Sequence, residues 1–328
     1  MQPGILIASC LALAAAIFAA IRPVPAIAQP IAVDLELILA VDISGSIDPV
    51  EAKLQREGYM GALASDQVME AIQGGILGRI ALSYVEWAGY QHRETLVDWQ
   101  VIATRADMNA FVGALGEAPM RRARRTSLSG AIEFSMPRFD ENAMEGTRRV
   151  IDISGDGPNN SGPMLPAARD AAIAAGIVIN GLPIINDRPN PFGLRTMRDL
   201  DRYFEHCVIG GPGAFIVVAR SFDDFASAVL SKLILEIADI RPTPDGLHRL
   251  AALGHIPQHQ LRWLAPVETV AAAPRLWRVQ SRGSGLPPPP PGAGLPGGPN
   301  SQLRPGIANC DAGERQWQEF RQGFDLWP

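Results

Sequence analysis

Leu35-Glu36-Leu37-Ile38-Leu39-Ala40-Val41-Asp42-Ile43-Ser44-Gly45-Ser46 is the stretch that decides the fold. The run from Leu35 to Val41 is apolar but for Glu36 and ends on a carboxylate followed by two hydroxyls, so a buried strand stops where a polar loop begins. Strands buried on both faces of a parallel sheet read this way, and ligands of such sheets bind just beyond the strands' carboxyl ends. Asp42, Ser44 and Ser46 then form a set of hard oxygens suited to a cation. The plainer reading of Asp-x-Ser-x-Ser is a loop whose short polar side chains cap a helix.

Two further stretches add weight to the first. Arg148 to Ile153 is a second β-branched run, and it ends in Ser154-Gly155-Asp156-Gly157-Pro158-Asn159-Asn160, again a hydroxyl and a carboxylate at a strand's exit. Between the two runs lies Thr126-Ser127-Leu128-Ser129-Gly130-Ala131-Ile132, whose threonine either caps a helix or offers its oxygen to an ion.

The remaining pattern alternates strands with helices. Asp48-Pro49-Val50-Glu51 opens a helix with an N-cap acid, proline at the first position and a capping-box glutamate, and Gly74, Gly75 and Gly78 end it. Strands are expected over Ile80–Glu86, Ile177–Ile184 and Gly213–Val218, with a short edge strand over Asp98–Ile102. Helices are expected over 107–115, 126–136 and 165–175. The last helix starts at Ser221, and Phe222, Phe225, Ala226, Val229, Leu230, Leu233, Ile234 and Ile237 form its apolar stripe. Alternation of this kind implies an α/β fold, a doubly wound, mostly parallel sheet with helices on both faces.

The spacing of the three polar loops resembles the metal-ion-dependent adhesion site of von Willebrand factor type A domains. Longer phrases, including Ser83-Tyr84-Val85-Glu86-Trp87 and Ile151 to Asn160, resemble a bacterial family of exported, von Willebrand A-like proteins of unknown function, over about Asp34 to Ile237. The resemblance implies that Ser44, Ser46 and Thr126 supply hydroxyl oxygens and that Asp42 and Asp156 bind directly or through water. A sixth position is left for the carboxylate of a protein partner. Such an oxygen shell suits Mg²⁺, leaves Mn²⁺ open and disfavours Zn²⁺, which prefers His and Cys. One departure is plain: the chain reads Arg121-Arg122-Ala123-Arg124-Arg125 where glycine commonly precedes the threonine. That run is either a solvated loop or a set of cations flanking the site.

Across 328 residues, 47% hydrophobic content with 19% charged residues provides a full core, and a net charge of −5 argues against nucleic acid as a partner. Residues 1–28 read as a signal peptide, an apolar segment followed by Ala26-Ile27-Ala28 before Gln29, so the protein is expected to be exported, periplasmic or secreted. The alternative is an uncleaved segment that anchors the chain to the membrane. Residues 34–238 are the von Willebrand A-like domain, and 239–328 a tail rich in proline and glycine, including Pro287 to Pro291. Cys207 and Cys310 either pair or remain as free or intermolecular thiols.

No nucleophile elbow, P-loop, H-E-x-x-H or dinucleotide fingerprint is present, and Pro257 between His255 and His259 spoils the helix that would align them. The expected function is therefore a metal-dependent binding module rather than an enzyme. The alternatives are a metal-dependent envelope hydrolase and a structural envelope protein with a vestigial site.

Overall fold

The computed structural model describes residues 29–45, 47–185, 197, 199–240, 310, 311, 313 and 315. The signal peptide read over 1–28, Ser46, the polyproline run and His255 with His259 lie outside the described residues. Residues 1–31 form a short unit, of which Gln29, Pro30 and Ile31 are described and exposed. The body runs from Ala32 onward.

Its centre is β2 (Leu35–Asp42), buried at every position. It pairs in parallel with β3 (Ile80–Trp87) on one side and with β6 (Arg149–Gly155) on the other. β7 (Ile177–Pro183) extends the sheet in parallel beyond β6. β4 (Arg93–Ile102) closes the opposite edge and runs antiparallel to β3. The reason is connection length: only five residues separate β3 from β4, enough for a hairpin, whereas the parallel pairs are joined by helical crossovers. Two shorter strands lie outside this sheet, β1 (Ile31–Val33) and β5 (Met144–Gly146), and the Val33 carbonyl accepts the Thr147 N–H at 3.1 Å.

Alternation along β2 divides the core in two. Leu35, Leu37, Leu39 and Val41 face α1 (Pro49–Leu63), α2 (Asp66–Gln73), α3 (Arg105–Glu117) and α7 (Phe222–Ile237). Ile38 and Ala40 face α4 (Leu128–Ser135), α5 (Leu165–Ala174) and α6 (Leu200–Tyr203) with its π-helical continuation Phe204–Val208. This is the expected doubly wound sheet with helices on both faces. α1 and α7 meet at Gly58, where an added Cβ would stand 2.8 Å from the Phe225 ring.

Three local expectations change. The helix from Asp48 is two helices: α1 ends at Leu63 and Ser65 caps α2 by accepting the Val68 N–H at 3.2 Å. The edge strand expected over 98–102 begins at Arg93, because its partner β3 is long enough to pair throughout. Gly213–Val218 is not a regular strand but a series of bridges beside β7, Gly181 with Ile216 and Ile184 with Ala219. Cys207 and Cys310 form a disulfide with Cα atoms 5.4 Å apart, so Cys310 returns to the body from the segment read as a tail.

The core also holds charge. Arg56 of α1 pairs with Glu86 of β3, and both are nearly buried. Arg56 Nη1 also donates to the Ala118 carbonyl at 2.6 Å, tying α1 to the end of α3. Burial pushes the Glu86 carboxyl up, and Arg56 opposes this most. Removing one partner of a buried pair strands the other, so Arg56→Ala is expected to cost about 3–5 kcal/mol in urea unfolding at neutral pH. The loss should shrink as the pH falls and the orphaned Glu86 takes up a proton.

Candidate functional site

Three loops meet at the carboxyl ends of β2 and β6. Asp42, the last residue of β2, is fully buried, and its Oδ1 accepts the Ser44 N–H at 2.7 Å, which curls the loop at once. Asp156 follows β6 directly and is 8% exposed. Glycine at 155 lets the two loops approach, since an added Cβ there would stand 3.2 Å from Asp42 Oδ2. On the far side of Asp156, a Cβ at Gly157 would stand 3.7 Å from Thr126 Oγ1. The structure thus gathers Asp42, Ser44, Thr126 and Asp156. Ser46, the fifth expected site residue, lies outside the described residues.

The two roles left open for Thr126 separate here. Ser127, not Thr126, caps α4 by accepting the Gly130 N–H at 3.1 Å, so the Thr126 hydroxyl is not used as the helix cap. Asp48 takes the capping role expected of it: its Oδ1 accepts the Val50 and Glu51 N–H groups at 2.7 and 2.8 Å, and Glu51 returns the bond to the Asp48 N–H at 2.9 Å.

The arginine run serves neither of the purposes read for it alone. The Ala123 N–H donates to the Ile43 carbonyl at 3.2 Å, and Arg122 donates to the Ile47 carbonyl, so this segment is stitched to the Asp42 loop. Arg121 pairs with Glu94 at 2.5 Å. Arg125 has φ 71°, the left-handed conformation that the expected glycine would supply without strain. All four arginines remain exposed, so the loop is both a clamp and a positive rim.

Two residues to which the sequence reading assigned no role hold the loops together. Thr126 N–H donates to Asn160 Oδ1 and the Asn160 N–H donates to the Thr126 carbonyl, both at 2.9 Å. Asn159 is fully buried; its Oδ1 accepts the Ser129 N–H at 3.1 Å and its own N–H donates to the Tyr203 hydroxyl at 3.1 Å. The available signal was the Asn-Asn pair itself, since amide side chains readily mimic backbone in turns. Gly313 lies against this same loop, where an added Cβ would stand 2.1 Å from the Asn159 carbonyl oxygen.

Electrostatically the site is unsatisfied. Burial first, and then the charge of Asp156, push the Asp42 carboxyl well above the usual carboxylate range, against the Ser44 amide and hydroxyl and the Asp156 amide. Asp42 Oδ2 is buried with no hydrogen-bond partner. Among the described residues no three His, Cys, Asp or Glu side chains gather as a metal cage. The donors here are two carboxylates with hydroxyls.

Residues 32–241 match the family described as "Protein of unknown function (DUF1194)". The chain belongs to this family. No curated protein matches it. Among solved structures it is similar to proximal thread matrix protein 1 of the mussel byssus, at 14% identity and a TM-score of 0.47, covering 64% of this chain and 49% of that one. It is also similar to the pilus adhesin SpaC from Lactobacillus rhamnosus GG, at 16% identity and 0.46, covering 64% and 30%. A von Willebrand factor type A protein from Catenulispora acidiphila gives 14% and 0.43, covering 64% and 43%. The chain spans about half the length of the first and less of the others. These likenesses carry no argument at such TM-scores; the von Willebrand A-like fold rests on strand order, register and the three loops.

Because a left-handed L-residue costs about 1–2 kcal/mol, Arg125→Gly should unfold at a temperature no lower than the parent, whereas Arg125→Val should unfold earlier. Differential scanning calorimetry on the two variants checks this.

Proposed function

We propose that this protein is a metal-ion-dependent binding module that engages a protein partner through a bound divalent cation. The observation that carries the reading is Asp42 Oδ2, a buried carboxylate oxygen with no hydrogen-bond partner, set beside a second carboxylate at Asp156. Burying two such charges together is costly unless a cation lies between them. Asp42 and Asp156 would hold the ion, with Ser44, Ser46 and Thr126 adding hydroxyl oxygens. Hard oxygens in this number fit Mg²⁺, with Mn²⁺ next, and not Zn²⁺.

When bound, the cation supplies a Lewis-acidic position that a carboxylate can occupy. The chain's own residues do the rest. Asn160 holds the Thr126 backbone, Ser44 orients Asp42, and the exposed arginines of the 121–125 loop favour an acidic partner by charge. The disulfide between Cys207 and Cys310 supports a working place in an oxidising compartment, in keeping with export through residues 1–28. Among the described residues no helix is long and apolar enough to cross a membrane.

Calorimetric titration should show one Mg²⁺ site in the parent and none in Asp42→Asn. At 100 times the dissociation constant the ion should add about 2.7 kcal/mol to the parent's stability. Without metal, Asp42→Asn should melt above the parent, because folding the parent must either protonate Asp42 or bury its charge beside Asp156, and asparagine needs neither. Capture of a partner from the native envelope should fall in chelator and return with Mg²⁺. A protein that binds Mg²⁺ yet captures its partner equally well in chelator would sink the adhesive reading; one that binds no divalent ion would sink the metal site itself.

A further inference from the structure

The final helix carries a lysine where its apolar stripe should be. Lys232 is 1% exposed, and its Nζ lies 2.5 Å from Asp152 Oδ1 of β6 and 2.7 Å from Glu236 Oε1, one turn further along α7. Asp152 and Glu236 are as buried as the lysine. The groups facing them from the packed elements are Tyr59 of α1, Asn180 of β7 and the Phe215 ring, 5.4 Å from Nζ. Asn180 donates to Glu236 Oε1 at 2.8 Å and is itself held by the Phe215 N–H at 2.9 Å. The close approach of Nζ to Asp152 Oδ1 is not an aligned hydrogen bond.

If all three groups were ionised, two negative charges and one positive charge would sit in an apolar core, which costs several kcal/mol per ion. Desolvation and then Glu236 push the Asp152 carboxyl up to about 8, with Lys232 opposing, so at neutral pH Asp152 holds a proton. The lysine nitrogen, a neutral carboxylic acid and a second carboxyl group are thereby held in contact, out of water. Proximity of this kind supplies a large part of the barrier for a bimolecular reaction.

We propose that Lys232 and Asp152 condense to an intramolecular amide, with Glu236 carrying the proton. Lys232 gives a proton to the Glu236 carboxylate and its nitrogen attacks Cγ of the protonated Asp152. The Nζ–Cγ bond forms, the Cγ–OH bond breaks with the hydroxyl leaving as water, and Glu236 passes protons along the way. An ammonium, a carboxylic acid and a carboxylate become an amide, a water and a carboxylic acid, so charge and atoms balance with no oxidant or co-reactant. In water, ionisation of the reactants opposes this condensation. In the core the balance reverses, because the reaction removes every charge from the site. The product joins α7 to the strand that delivers Asp156, independently of whether the site holds a cation.

The test is peptide mapping of the reduced, denatured full chain by mass spectrometry. The expected result is a branched peptide joining the Asp152 and Lys232 segments, about 18 Da lighter than the two together, with no tryptic cleavage after Lys232. Glu236→Gln and Lys232→Met should both yield the two unlinked peptides. Separate wild-type peptides of full mass, with cleavage after Lys232, would overturn the proposal. So would an 18 Da loss confined to the Asp156-Gly157 peptide, which marks dehydration within one segment. The wild-type map decides the matter even if a variant fails to fold.

Discussion

Everything in the site depends on β2 being flanked in parallel by β3 and β6. Parallel pairing aligns the carboxyl ends of neighbouring strands, and the register that sets Val41 beside Ser154 brings Asp42 and Asp156 out at one edge of the sheet. Two buried carboxyl groups then face each other, and each disfavours ionisation of the other while the surrounding backbone holds them in place. Ser44, Asn160 and the Arg122 clamp provide that hold. Strain at φ 71° on Arg125 belongs to the same arrangement, a local cost accepted where a loop must pass close to the site.

Much of this was legible in the sequence, and for identifiable reasons. The central strand and the Asp48 capping box follow from local chemistry that tertiary context does not overrule, whereas the grouping of Asp42, Thr126 and Asp156 was legible only through the resemblance of the three loops. The break between α1 and α2 was hidden because Ser65 lies in a stretch whose residues suit a helix, and only its hydroxyl on the Val68 N–H marks a new start. Ser127 and Thr126 are adjacent residues of similar capping ability, so the choice between them rests on where α4 lies relative to the Asn160 clamp. Arg125 gives no signal at all. Its side chain names an exposed cation, while its role is set by a backbone angle.

The final helix shows the same limit from the other side. Its apolar stripe predicts the face that packs on the sheet, but periodicity assigns a charged residue to solvent by default, and Lys232 and Glu236 are buried all the same. Partners distant in sequence, Asp152 and Asn180, make this tolerable. The core is therefore polar along one line, from Asn180 through Glu236 and Lys232 to Asp152 of β6. Replacing it with apolar residues of equal volume is the sort of change that leaves many folds intact.

Joining Cys207 to Cys310, a sequence separation of 103, alters the topology of the chain, because the residues between them become a closed ring rather than a free end. A single backbone cut anywhere in that ring would release nothing: both fragments would stay covalently attached to the body. Just past the closing Cys310, Gly313 lies against the Asn159 carbonyl, so the ring closes next to the Asp156 loop.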